Sequence, residues 1–231
     1  MFKKILSRLT KTVPEGHKFY SGIYHEGDAE YYYIPSDGGH IFDGEFNFRM
    51  KLGGGMYREA KGMFKNNQKD GLWQFVRKGR ESFKNLKVNL NNGQIEGQLH
   101  YTCEEETIGG VIMKGIDLMI VDGKIKGEIL GVSAGAEFKG FCDEDGYPDG
   151  TWTMTYKEDG ELKNVETEVW DHGTLVSSYE ESHEWRNKLD KNNRFRERIN
   201  YLLEEDVQHL LKIVGRGTQN TFLHIYRKPG Q

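Results

Sequence analysis

A turn that returns at a fixed offset constrains this chain more than any other feature. In Gly62-Met63-Phe64-Lys65-Asn66-Asn67-Gln68-Lys69-Asp70-Gly71-Leu72-Trp73-Gln74-Phe75, a short strand ends at Phe64, the chain reverses at Asn66-Asn67, and a second strand begins after Gly71. Related reversals occur at Glu26-Gly27, Asn92-Gly93, Asp122-Gly123, Asp145-Gly146 and His172-Gly173. Asn-Gly and Asp-Gly favour two-residue hairpin turns because both central positions need positive φ. Three residues before the second turn residue stands a large apolar side chain: Tyr24, Phe64, Leu90, Ile120 or Trp170. Four residues after it stands Gly71, Gly97, Gly127 or Gly150.

The return strands alternate. Trp73 and Phe75 flank Gln74; Leu99, Tyr101 and Cys103 alternate with Gln98, His100 and Thr102; Trp152, Met154 and Tyr156 alternate with Thr151, Thr153 and Thr155. An earlier partial copy runs over Asp43-Gly44-Glu45-Phe46-Asn47-Phe48. Period-two alternation means one buried and one wet face, whereas strands covered on both faces read as continuous apolar runs. With Gly44 included, the glycines recur every 23 to 30 residues, a spacing typical of stacked arrays. The competing architecture is an ordinary β-sandwich with many hairpins.

These spacings resemble MORN repeats, whose pattern is Tyr-x-Gly-x-Trp-x-Asn-Gly-x-x-x-Gly. Tyr20-Ser21-Gly22-Ile23-Tyr24-His25-Glu26-Gly27 is similar to its first half, and Gly62 to Gly71 to the span from its first glycine to its last. Asn92-Gly93 with Gly97, and Asp122-Gly123 with Gly127, keep the second half. Most copies lack the first Tyr, and Trp73 or Trp152 stands where many MORN units have Gly. The resemblance covers about residues 20–179 and is closest to the divergent bacterial variant. It implies a mainly β fold: an open, single-layer antiparallel β-meander built from hairpin repeats. It also implies an interaction or scaffolding function, sometimes with membrane association, rather than catalysis.

The expected organisation is an N-terminal segment over 1–16, a repeat domain over 17–179 and a C-terminal helical segment over 180–231. Phe2, Ile5, Leu6 and Leu9 follow helical spacing among Lys3, Lys4, Arg8 and Lys11. Residues 1–12 therefore read as a basic amphipathic helix that touches a membrane or partner, or as a helix docked on its own sheet or a frayed end. Their apolar stretch is too short and interrupted for a secretory signal. Tyr31-Tyr32-Tyr33 predicts a strand covered on both faces, Asp37-Gly38-Gly39 a turn, and Gly53-Gly54-Gly55 a flexible loop. The Asp145-Gly146 turn is expected to be longer than its counterparts by two residues. Trp185 and Leu189 sit four apart, and an apolar stripe from Phe195 to Val214 predicts a helix over about 194–214, ending at Gly215. Its stripe either caps the sheet or makes an oligomer. Residues 218–226 read as a last short strand.

Composition narrows the function. The 231 residues carry a net charge of -4, an isoelectric point near 6.1 and a mean hydropathy of -0.74. No basic excess exists to neutralise phosphates, so nucleic acid is not an expected partner, and an anionic membrane surface is disfavoured. Cys103 and Cys142 are expected as reduced thiols and the chain as cytoplasmic. No apolar run approaches the roughly 20 residues that span a bilayer.

Catalytic signals are missing. His183-Glu184 lacks a second His at 187, no Gly-x-Ser-x-Gly occurs, and His100 lies on the strand face opposite Cys103. Phe141-Cys142-Asp143-Glu144-Asp145-Gly146 resembles a calcium loop, but Phe141 and Trp152 stand where ligands are needed, and turn chemistry accounts for it. No catalytic residue, cofactor or metal site is assigned. The candidate partner-binding face is aromatic: Phe64, Trp73, Phe75, Tyr101, Trp152 and Tyr156. The expected function is a non-enzymatic interaction or scaffold module with a protein partner or self-association. The alternatives are a peripheral membrane binder using residues 1–12 and a hydrolase with a cleft between sheet and helix.

Overall fold

The computed structural model describes residues 13–133, 135–158, 161–182 and 199–214. Its body is one open sheet of thirteen antiparallel strands in strict sequence order. The strands are β1 (Lys18–Tyr24), β2 (Gly27–Ser36), β3 (Gly39–Gly53), β4 (Met56–Lys65), β5 (Gln68–Lys78), β6 (Ser82–Asn91) and β7 (Gln94–Thr107). They continue as β8 (Gly110–Val121), β9 (Lys124–Ser133), β10 (Ala136–Cys142), β11 (Gly150–Glu158), β12 (Glu161–Asp171) and β13 (Thr174–Ser182). A helix, α1, follows over 199–214, with π-type winding at Leu202–Val207. The expected mainly-β open meander with a C-terminal helix is the architecture found.

Each connection reverses the chain, so turns alternate between two rims. Those after even-numbered strands form the even rim: 37–38, 66–67, 92–93, 122–123, 143–149 and 172–173. The even-rim residues Asn66, Asn67, Asn92, Asp122 and His172 all take positive φ, as the turn residues predicted. The first expected turn is displaced. Tyr24 pairs with Gly27, so His25-Glu26 form the loop, and this turn follows an odd strand on the other rim. It was aligned with the even-rim turns because its sequence looks alike; strand parity separates them. Gly53-Gly54-Gly55 is a tight reversal rather than a flexible loop, since Gly53 pairs with Met56 across Gly54-Gly55. The 143–149 connection is seven residues long, well beyond a turn lengthened by two.

The sheet is strongly curved onto its own inner face. One cross-strand row runs Ala29, Phe48, Ala60, Phe75, Leu86, Tyr101, Ile116 through neighbouring strands, and all seven are buried. A single flat layer would leave them wet; twist lets a many-stranded open sheet curl and bury one face. Helix α1 closes the remaining opening with Ile199, Leu202, Leu203, Val207, Leu210, Leu211 and Val214, all in the same core. It seats on β4 and β5, nearer the first strand than the last, and reaches β6 through Asp206. Tyr31 and Tyr32 are both buried, Tyr32 against Phe19 (5.3 Å between centroids), so both faces are covered there as expected. Residues 1–12, the start of the expected helix at 194–198, Trp185, Leu189, Gly215 and the expected strand 218–226 lie outside the described residues.

Candidate functional site

The expected aromatic face is the interior of the molecule. Phe64, Trp73, Phe75, Tyr101 and Trp152 are at most 2% exposed, and Tyr156 is half-buried. Phe64 meets Trp73 edge-on at 5.1 Å, and Trp73 stacks on Phe75 at 5.6 Å. The Trp73 indole lies over the backbone of Gly62 and donates to the Met63 carbonyl (2.9 Å); Trp152 does the same over Gly140, donating to Phe141 (3.1 Å). Phe64, Trp73, Phe75, Tyr101 and Trp152 are therefore core rather than an accessible face, and Tyr156 packs against that core half-buried. The curl that buries them is a long-range property, which alternation alone does not encode.

The seam between α1 and the sheet concentrates buried polarity. Lys69, wholly buried, donates from Nζ to the Val214 carbonyl at the helix C-terminus, where a cation is favoured. Its ammonium also lies 5.3 Å from the Trp73 ring and 5.8 Å from Phe75. Burial pulls its pKa down to about 7. Lys84 on β6 pairs with Asp206 on α1 at 2.5 Å. Beneath them lie Tyr101 and Cys103, both fully buried, with Sγ of Cys103 3.6 Å from Glu105, which in turn pairs with Lys114 at 2.7 Å. Burial pushes the Tyr101 hydroxyl and the Cys103 thiol up, so neither ionises readily. An open depression of about 240 Å³ beside this seam is lined by Arg77, Lys84, Tyr201, Glu205, Asp206, His209 and Leu210.

That depression is the cleft a hydrolase would use. Three of its polar side chains are engaged structurally: Lys84 with Asp206, and His209 through Nδ1 with the Glu205 carbonyl. Among the described residues, no three or more His, Cys, Asp or Glu side chains converge as a metal site would require. Asp206 carried a readable signal. It stands four residues after Leu202 and four before Leu210, on the apolar stripe of the helix, where an unpaired carboxylate would be costly. Lys69 carried none, being flanked by Gln68 and Asp70 in a turn-proximal stretch.

The even rim shows a repeated device. At Gly44, Gly71, Gly97 and Gly150 the acidic residue immediately before the glycine bonds the next even-rim turn. Asp43 accepts from the Asn66 N–H (3.0 Å), Asp70 from Asn92 (3.5 Å), Glu96 from Asp122 (3.1 Å) and Asp149 from His172 (3.0 Å). Beside three of them a backbone bond runs in parallel: Asn67 N–H to the Phe42 carbonyl, Gly93 to Lys69, and Gly173 to Pro148, each 2.8 Å. In the 143–149 connection, Asp143 accepts from its own loop, from the Asp145 and Tyr147 N–H groups (both 2.9 Å), and meets His172 Nδ1. Its carboxylate thus shapes the turn.

The outer face carries a straight row through all thirteen strands. It runs Ser21, Glu30, Asn47, Lys61, Gln74, Lys87, His100, Asp117, Leu130, Lys139, Thr153, Thr167, Tyr179. At about 4.8 Å per strand it is about 58 Å long measured over the sheet. His100 pairs with Asp117 within it at 2.5 Å, on the face away from Cys103. No helix among the described residues is long and apolar enough to cross a membrane. Comparison of the chain with family models, with curated proteins and with solved structures returned no match.

Proposed function

We propose that this chain is a non-enzymatic, MORN-like repeat protein of the divergent bacterial type. It acts in the cytoplasm as a protein–protein interaction or scaffold module, and it presents the outer face of its sheet. The observation that carries the reading is the unbroken outer row from Ser21 to Tyr179, set against an inner face consumed by the core. The repeat device on the even rim supports the MORN-like part, because the post-turn glycines of the pattern are where the chain takes positive φ: Gly44, Gly71, Gly97, Gly127 and Gly150. An extended, evenly spaced and mostly polar row, with Leu130 apolar and Thr167 buried, suits recognition of a partner by many small contacts.

The test is charge reversal on exposed members of the row, Lys61→Glu with Lys87→Glu. The fold should be unchanged by circular dichroism and thermal melting, and proteins retained by the wild-type chain should be lost. An identical set retained at identical strength would refute the outer face as the binding surface.

A further inference from the structure

The β7–β8 hairpin is taller than the sheet beside it. Its outermost pair with β6 is Glu105↔Ser82, and its outermost pair with β9 is Lys114↔Ser133. Beyond these, Glu106 pairs with Val111 and Thr107 with Gly110, and the tip closes at Ile108-Gly109. The outer side of this finger mixes apolar and acidic side chains. Met113, Val111 and Ile108 are 42%, 62% and 112% exposed, and Phe83, 36% exposed, joins Met113 across Glu104 in one cross-strand row. Exposed Glu104 and Glu106 stand opposite Met113 and Val111. The turn does not require this: an equal two-residue turn at 92–93 closes with Asn-Gly. Exposed apolar side chains interleaved with carboxylates on a projecting hairpin mark a contact surface.

The complementary surface must be apolar and positive. The chain contains such a segment in residues 1–12: Phe2, Ile5, Leu6 and Leu9 at helical spacing, with Lys3, Lys4, Arg8 and Lys11 and no acidic residue. Within one chain the two are badly placed. β1 starts at the even rim and the finger rises from the other; the two also stand six strands apart, about 29 Å across the sheet. Twelve residues at helical rise extend about 18 Å, and residues 13–17 add little reach because His17 N–H bonds the Pro14 carbonyl and its ring pairs with Asp43 at the even rim.

We propose that the β7–β8 finger is a self-association surface that receives the basic amphipathic segment 1–12 of a second copy of this chain. Apolar contact would supply the attraction, and Glu104 and Glu106 facing the lysines would set orientation and salt dependence. The proposal rests on the interaction reading above and names one partner for it. The acidic finger disfavours an anionic lipid surface as the occupant.

Sedimentation velocity of the full chain over a range of concentrations and salt tests this. A concentration-dependent assembly that weakens with salt is expected. Ile108→Asp with Val111→Asp should weaken it at least tenfold, as should Glu104→Lys with Glu106→Lys. Lys3→Glu with Lys4→Glu should also weaken it, and combining the two charge reversals should restore it. A chain monomeric at every concentration would overturn the proposal, as would an assembly indifferent to deletion of residues 2–12. Binding of phosphatidylcholine vesicles through Ile108 without self-association would overturn it too, making lipid the occupant. The outer-row variant Lys61→Glu/Lys87→Glu should leave self-association intact. A monomeric chain that still loses its partner in that variant would remove the finger contact alone and leave the broader reading standing.

Discussion

The two rims of this sheet are made by the same chain reversing the same number of times, yet only on one of them, among the described residues, does a carboxylate recur as the bond from one hairpin to the next turn. On the even rim, Asp43, Asp70, Glu96 and Asp149 each reach the turn of the following hairpin. On the other rim the fully described turns are His25-Glu26, Gly54-Gly55, the Gly79–Glu81 connection and Ile108-Gly109, and these four share no residue pattern. The difference teaches where a repeat becomes visible. A motif recurs in sequence where a side chain makes the bond to the neighbouring unit, and it dissolves where backbone atoms make it, as Glu106 N–H does to the Glu81 carbonyl at 2.7 Å.

The comparison breaks most severely where the even-rim pattern reaches the core. Trp73 stands two residues after its bulge glycine, and its indole occupies the space above Gly62. Trp73→Ala should cost about 3–5 kcal/mol in denaturant unfolding. Gly62→Ala should cost a comparable amount, since a Cβ there would stand 2.2 Å from Trp73 Cδ2. Loss of less than about 1 kcal/mol in both would show that the curl does not depend on this pair.

Lys69 sharpens the comparison, because it fastens α1 from a position next to the even-rim acid Asp70. Its folded pKa of about 7 lies below the ordinary lysine value. Between those values the unfolded chain binds the extra proton, so this group makes the fold more stable as pH rises from about 7. Wild type minus Lys69→Met should therefore show stability increasing between pH 7 and 8.5, at no more than about 1.4 kcal/mol per unit. The window stops there because Cys103 and Cys142, whose thiols burial raises, act with the opposite sign at higher pH. A flat difference would mean the ammonium is retained by the Val214 carbonyl and the ring faces of Trp73 and Phe75.

A cleaner contrast between rims uses glycine. Gly71 has φ of +69° and no heavy atom within 4 Å of an added Cβ, so Gly71→Ala should cost only the left-handed backbone, about 1–2 kcal/mol. Gly109 on the finger carries no such φ, and its added Cβ would meet only Thr107 Oγ1 at 3.9 Å. Gly109→Ala should be within about 0.5 kcal/mol of wild type. Equal losses at the two sites would erase the distinction between rims.

How much of this was legible follows from the range of each interaction. Alternation in Trp73-Gln74-Phe75 and positive-φ turn residues are local, so strands, the open meander and five of the six aligned turns could be read. Strand parity is not local, which is why Glu26-Gly27 was grouped with turns on the opposite rim. Curl is set by many strands together, so Phe64, Trp73, Phe75, Tyr101 and Trp152 read as a face when they are an interior. At the seam, Asp206 was legible as a carboxylate on an apolar stripe, whereas its partner Lys84 was not, because pairing between β6 and α1 depends on where the helix lands.

The smallest effect concerns the one interruption of the even-rim pattern. Before Gly127 stands Lys126 where the other copies carry an acid. The next connection explains the exchange. It is the 143–149 loop, whose N–H groups at 145 and 147 are already bonded by Asp143, so no carboxylate is needed from the neighbouring hairpin. What this loop presents instead is negative charge, and Lys126 meets Glu144 at 3.4 Å while Lys124 meets Asp145 at 3.7 Å. Lys126→Glu should destabilise slightly, by no more than about 1 kcal/mol, because Glu144 is exposed and water screens the pair. Adding Glu144→Lys should recover most of that loss, and the recovery should shrink in high salt. If Lys126→Glu were instead stabilising, an acid would be bonding this loop as at the other copies, and the interruption would lie in sequence alone.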